Sequence, residues 1–215
     1  RDGACIARYW AEWQPTNGLY TFCACGEQTH STARIENKNT NNIKLHTYKI
    51  MAKAIIITGG NVGDVKDTLR RAQQEINKQL GIILRCSHSY ESKAWGFTSS
   101  ENFYNQAIIL DTDFSPEGLL DKVLDIEAQL GRDREEEARI KAQTGERFAP
   151  RKIDIDILFY DDEVIDTPRL QIPHPLIQDR DFVLRPLNEI APDKIHPVLR
   201  KTIHTLFEEM EAKEA

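Results

Sequence analysis

The sequence predicts an α+β fold in β-α-β-β-α-β order, extended at its C-terminus by a hairpin and helices. Three observations carry this: short β-branched runs bounded by glycine turns, two amphipathic helical stretches with start and stop signals, and a strictly alternating strand near residue 155. The order begins at Met51, where composition shifts sharply. Ala54–Thr58 is a short apolar strand of the buried type, and the turn Gly59–Gly63 leads out of it. Val65, Leu69, Ala72, Ile76 and Leu80 then recur at helical spacing and are closed by Gly81. Ile82–Tyr90 and Phe103–Asp111 read as two strands. Ser115 is an N-cap with Pro116 at the first helical position, and Leu119, Leu120, Val123, Ile126, Glu127 and Leu130 follow before Gly131. Lys152–Tyr160 completes a ferredoxin-like unit. Glu163-Val164-Ile165 reads as a hairpin return after Asp161-Asp162, and Thr202–Lys213 as a terminal amphipathic helix.

Charge divides unevenly along the 215 residues: residues 1–50 carry six Lys and Arg against four Asp and Glu, and residues 51–215 carry 22 against 30. A net charge of −8 on the predicted domain argues against a nucleic-acid groove, where basic patches dominate. No apolar run approaches the roughly 18 to 20 residues of a membrane span, and the N-terminus lacks the basic start and apolar core of a secretory signal, so a cytoplasmic protein is expected. Residues 31–45 are rich in Ser, Thr and Asn with little apolar periodicity. Residues 1–50 are therefore expected to be a disordered extension or a mis-set start, with residues 51–215 as the folded domain. Trp10, Trp13, Tyr20 and Phe22 weigh the other way, as elements that could dock on a partner. A zinc site from Cys5, Cys23, Cys25 and His30 is disfavoured by the Cys-x-Cys spacing, and Cys86 stands alone.

The chemistry concentrates in Arg147-Phe148-Ala149-Pro150-Arg151-Lys152-Ile153-Asp154-Ile155-Asp156-Ile157-Leu158. With a strand rise of about 3.3 Å per residue, Asp154 and Asp156 share one face roughly 7 Å apart, while Ile153, Ile155, Ile157 and Phe159 take the other. A half-buried strand gives this alternation with no function at all. Two carboxylates with arginines beside them are, however, what magnesium and a phosphate-rich ligand require: the ion binds one or two carboxylates plus phosphate oxygens, and the guanidinium fork matches those oxygens. The Gly59–Gly63 turn lacks the Lys-Ser/Thr of a P-loop and the spacing of a dinucleotide fingerprint.

That segment resembles the signature of the 6-hydroxymethyl-7,8-dihydropterin pyrophosphokinases of the folate pathway. Further matches stand in order: Thr58-Gly59-Gly60-Asn61-Val62-Gly63-Asp64, Trp95-Gly96, Phe103-Tyr104-Asn105, Gly131-Arg132-Asp133-Arg134, Ile172-Pro173-His174-Pro175 and Arg180-Asp181-Phe182-Val183-Leu184-Arg185-Pro186-Leu187. The resemblance implies a pterin site in which Phe103 and Phe182 sandwich the ring, Asn105 hydrogen-bonds it, and Trp95 and Gly96 form the adjoining wall. It implies Arg132 and Arg151 as catalytic arginines, Arg134, Arg147, His174, Arg180 and Ile157 at ATP, and Asp154 and Asp156 as ligands of two Mg2+ ions. The implied reaction transfers pyrophosphate from ATP to the pterin hydroxymethyl group with release of AMP. The implied partners are these two small molecules, with no nucleic acid and no membrane, and the protein acting as a monomer. A catalytically inactive pterin or nucleotide sensor of the same fold is the alternative. Two departures from the family pattern stand out: Gly60 replaces the usual serine, and the stretch between Arg134 and Arg147 is longer than the common form. Charged and almost without apolar anchors, Arg132–Pro150 is expected to be a lid loop.

Overall fold

The structure is a computed structural model that describes residues 20–22, 31–35, 46–49, 51–96, 99 and 101–214. The chain divides into two compact units, residues 1–50 and 51–215. In the first, the described residues form three short strands, β1 (Tyr20–Phe22), β2 (Ser31–Ile35) and β3 (His46–Lys49), paired antiparallel in the order β1-β2-β3. Trp10, Trp13, Cys5, Cys23, Cys25 and His30 lie outside the described residues.

In the second unit, β4 (Ala52–Gly60), β5 (Ile82–Cys86), β6 (Tyr90–Ser92), β7 (Phe103–Thr112) and β8 (Asp154–Tyr160) build one antiparallel sheet. Its order is β5-β7-β4-β8, with β6 also on β7. β4 and β7, the first and third strands of the expected β-α-β-β-α-β order, thus lie at the centre, as a ferredoxin-like arrangement requires. The expected Ile82–Tyr90 strand is two strands instead, because β5 slips register between Ile83 and Arg85 and the chain re-pairs only from Tyr90.

Helices α1 (Val65–Gln79) and α2 (Pro116–Gln129) cover one face. The Asp64 side chain caps α1 by accepting from Asp67 N, and Ser115 caps α2 by accepting from Gly118 N. Their apolar stripes bury Leu69, Ala72, Ile76, Leu119, Val123 and Ile126 against Ile56, Ile108, Ile153, Ile155 and Ile157. On the opposite face, α4 (Asp181–Ile190) and α5 (Ile203–Glu214) cover Ile55, Ile57, Leu158 and Phe159 with Val183, Leu184, Leu187, Ile203 and Leu206. The sheet is thus sandwiched between helices, and no helix among the described residues is long and apolar enough to cross a membrane.

Three expectations are corrected. Phe159 does not share the face of Ile153, Ile155 and Ile157: Ile55 pairs with Phe159 but Ile56 pairs with Ile157, so a bulge at Leu158 turns Leu158 and Phe159 both toward α4 and α5. Val164 and Ile165 do not return along β8; β9 (Ile165–Asp166) pairs instead with β10 (Gln171–Ile172). The stretch between Arg134 and Arg147 is not a loop but helix α3 (Arg134–Thr144), capped by Asp133 accepting from Glu136 N and ended at Gly145. Runs of Glu, Ala, Arg, Lys and Gln have high intrinsic helix propensity without any apolar stripe, which is why apolar periodicity gave no sign of it.

Candidate active site

Asp154 and Asp156 open β8 on the α4 side of the sheet, paired with Gly59 and Ile57 of β4. They line an open cleft together with Ile57 and Gly59 of β4. Its other walls come from Ser92 and Lys93 at the end of β6, Phe103 and Asn105 at the start of β7, Trp95, Phe148, Arg151, and Arg180 and Phe182 at the start of α4.

The aromatic end is organised by ring contacts. Trp95 lies 5.7 Å from Phe148 and 6.4 Å from Phe182, centroid to centroid. Arg180 sits between Trp95 and Phe182, 4.7 and 5.6 Å from the two rings, and Arg151 is 5.4 Å from the Phe103 ring. Such cation–π contacts hold guanidinium groups without consuming their hydrogen-bond donors. Gly96 lies behind Trp95, where an added Cβ would come within 3.0 Å of the Phe148 ring. Asn105 donates from Nδ2 to Ser92 Oγ at 3.1 Å, which fixes the amide plane.

The glycine turn does structural work at the other wall. A Cβ on Gly60 would collide with the carbonyl oxygen of Lys152, so the departure from serine accompanies a close approach of two backbones. Asn61 then clips the strand leading into the site: its N–H donates to Arg151 O at 3.0 Å and its Oδ1 accepts from Arg151 N at 2.9 Å.

The carboxylates differ in their surroundings. Asp154 Oδ2 accepts from Arg151 Nη2 at 2.7 Å, and Oδ1 from Arg132 Nη1. Burial alone would raise its pKa, but Arg151 and Arg132 outweigh that and hold it below the usual value. Asp156 has weaker company, with His174 Nε2 at 3.9 Å and Arg180 Nη1 at 3.8 Å, both beyond hydrogen-bond reach. Burial, and then the negative charge of Asp154, push it up to about 7. Burial, and then Arg180, lower His174 to about 4.

The structure therefore brings Trp95, Phe103, Asn105, Arg151, Asp154, Asp156, Arg180 and Phe182 onto one cleft. His174 adjoins it through Asp156, and Arg147 stands over the Phe148 ring at 5.3 Å. Arg132 lies behind Asp154 and off the cleft wall. Arg134 is exposed and paired to Glu127. Ile157 buries its side chain on the α1 and α2 face, away from the cleft, leaving only its backbone toward a ligand. Sequence reasoning missed Ser92, Lys93 and Phe148 on the wall, and Glu127 and Glu137 beneath it. Only Phe148, inside the signature itself, carried a signal that could have found it.

Among the described residues no cluster of three or more His, Cys, Asp or Glu is arranged to hold a metal. The donor set nevertheless fits magnesium, which takes one or two carboxylates and completes its shell with water and phosphate oxygens. Asp156 in particular is a carboxylate short of hydrogen-bonded partners among the described residues and beside a second negative charge.

Several known proteins are similar to this chain. A 2-amino-4-hydroxy-6-hydroxymethyldihydropteridine pyrophosphokinase from Aquifex aeolicus is 41% identical over 153 residues, covering 71% of this chain and 89% of the relative. One from a Synechocystis species is 40% identical over 159 residues, covering 74% and 76%. Among solved structures, the wild-type Plasmodium falciparum HPPK-DHPS with pteroate superimposes with a TM-score of 0.60 at 15% identity, which shows the shared fold. The match covers 76% of this chain, which spans only 45% of that longer one. Since the sequence model of the family also matches residues 55–192, the chain belongs to the 7,8-dihydro-6-hydroxymethylpterin-pyrophosphokinases.

Proposed function

We propose that this chain transfers the pyrophosphoryl group of ATP to the hydroxymethyl oxygen of 6-hydroxymethyl-7,8-dihydropterin, giving the pterin diphosphate and AMP in folate synthesis. The activity is that of its family. The observation that carries it to these residues is the two-ended cleft, with aromatic faces and a fixed amide at one end and two carboxylates among arginines at the other.

A flat polar heterocycle needs stacking surfaces and amide hydrogen bonds. Phe103 and Phe182 supply the former and Asn105 the latter, with Trp95 and Gly96 closing the side. At the charged end, Arg151 Nε and Arg180 Nε are buried with no hydrogen-bond partner among the described residues. Buried donors of this kind call for an acceptor, and phosphate oxygens supply it. Arg147, Arg134 and His174 are the further nucleotide contacts of this reading, with Arg132 and Arg151 nearest the transferred group. Magnesium, held by Asp154 and Asp156, would neutralise charge on the phosphates and orient them. The protein's own part is to position the hydroxyl in line with the β-phosphorus, exclude water and spread the developing charge over guanidinium groups.

Residues 51–215 are the catalytic domain of this reading, working as a monomer on two small molecules without nucleic acid or membrane. A cytoplasmic location belongs to the same reading. Incubation of the protein with ATP, magnesium and the dihydropterin tests the proposal. AMP and pterin diphosphate in equal amounts are expected, and tight binding of both ligands with no AMP formed would make the protein a sensor instead.

A further inference from the structure

Arg132 is anchored by three carboxylates. Its Nε donates to Glu137 Oε1 at 2.8 Å and its Nη2 to Glu137 Oε2 at 3.1 Å, while Nη1 is shared by Glu127, at 2.6 Å, and Asp154. Glu127 is fixed in turn by Ile155 N, which donates to it at 2.7 Å, and by Arg134. Glu137 belongs to α3 and is the buried residue of that helix. The side chains of Arg132 and Glu137 are only 9% and 8% exposed, which separates this pair from surface ion pairs such as Arg139–Glu136, at 64% and 46%.

A fork-on-fork contact fixes a guanidinium in its plane as well as in place. Burying such a pair is a poor way to dock a helix, because desolvation offsets much of the attraction and an apolar contact of equal volume does as well or better. What the fork secures is orientation. With both edges of Arg132 held, its Nη1 has one direction left, toward Asp154 Oδ1, while Arg151 holds the opposite oxygen of the same carboxylate. We propose that Glu137 is a positioning residue for Asp154, acting through Arg132, so that α3 is a structural part of the phosphate end of the site. The proposal rests on the reading of Asp154 as a metal and phosphate-end residue.

Glu137→Gln tests it, since the amide keeps the shape of the side chain but not its paired acceptors. Supporting residues of this kind typically change metal affinity or activity by about 10- to 100-fold. A fall in kcat and a rise in half-saturating magnesium in that range are expected, with the pterin KM unchanged. Binding of Mn2+ in the presence of an α,β-methylene ATP analogue, read by electron paramagnetic resonance, should weaken by a similar factor. Glu136→Gln, the same charge change on the exposed side of α3, should match wild type throughout. Glu137→Asp keeps the charge but is too short to close both hydrogen bonds, and should show the same pattern more weakly even where the glutamine variant does not fold. Wild-type kcat, magnesium requirement and Mn2+ affinity, with only a lower melting temperature, would overturn the proposal. A wild-type protein that forms no AMP would instead defeat the functional reading, leaving Mn2+ affinity to judge the role of Glu137.

Discussion

Asn61 and Arg151 close a reciprocal pair, Asn61 N to Arg151 O at 3.0 Å and Arg151 N to Asn61 Oδ1 at 2.9 Å. One residue from the first turn of the domain thereby holds the strand entrance that carries a site arginine 90 positions later. Asn61→Ala leaves the Arg151 amide unpaired in a partly buried place, a loss of about 1 to 3 kcal/mol. Activity should fall as well, because Arg151 then loses its backbone anchor. Denaturant unfolding and steady-state assay together check this, and wild-type kcat in a destabilised variant would confine Asn61 to folding.

Asp154→Ala and Asp156→Ala should both abolish detectable turnover but part company in stability. Asp154 bonds two arginines, so its loss takes the carboxylate partner of Arg151 and one of the three that hold Arg132, and should destabilise by about 1 to 3 kcal/mol. Asp156 is repelled by Asp154 and has no hydrogen-bonded partner among the described residues, so its removal should leave stability unchanged or raised. Thermal melts without ligand distinguish the two, and equal destabilisation would contradict the asymmetry.

The same asymmetry has a pH signature. Asp156 is raised from 3.8 to about 7 in the folded protein, so its contribution is fully present below about pH 4 and lost as pH rises through 7. His174 is lowered from 6.5 to about 4, so its contribution is present above 6.5 and lost as pH falls through 4. The two opposed slopes partly cancel in the wild type. Asp156→Asn should expose a stability that climbs between pH 4 and 6.5, and His174→Asn one that declines from pH 4 to 7. Unfolding free energies across that window are the measurement, and parallel profiles in the three proteins would refute the assignment.

The carboxylate pair was legible because Asp154 and Asp156 open a strand, where a period of two fixes which side chains share a face, whereas Phe103, Phe182, Asn105 and Trp95 were named from the family resemblance. Asp154 and Asp156 could be paired from sequence alone. Phe159 could not, because the bulge at Leu158 depends on how β8 meets β4 and leaves no local mark. Helix α3 escaped for a different reason: its core-facing residue is Glu137, so a search for apolar periodicity passes over it. Arg132 was recognised as important, but its partners were not, since Glu127 and Glu137 read as ordinary members of charged helices until burial sets them apart. Trp95 and Phe148 meet across 53 residues of chain, a contact that no spacing encodes.

A chain beginning at Met51 should fold cooperatively and keep full activity. Among the described residues, those that line the cleft, the strands of the five-stranded sheet and the members of its two apolar clusters all lie within 51–215. Circular dichroism melts and the AMP assay on the shortened protein check this. A broad, uncooperative transition or a loss of turnover would show that residues 1–50 complete the domain.

Phe182 is the residue at which packing and recognition separate most clearly. It opens α4 half-buried, resting on the edge of the second apolar cluster while presenting its ring to Trp95 at 6.4 Å and to Arg180 at 5.6 Å. The fully buried neighbours Val183, Leu184 and Leu187 already anchor the helix. Phe182→Ala should therefore cost the fold little and the pterin much: loss of one stacked face weakens a heterocycle by about 1 to 3 kcal/mol, roughly 5- to 150-fold in affinity. Nucleotide affinity should change far less, since the charged end of the cleft is held by Asp154, Arg151 and Asn61 rather than by this ring. Calorimetric titration of each ligand separately gives the comparison. Unaltered pterin affinity with a large drop in melting temperature would make Phe182 a core residue and remove one face of the proposed stack.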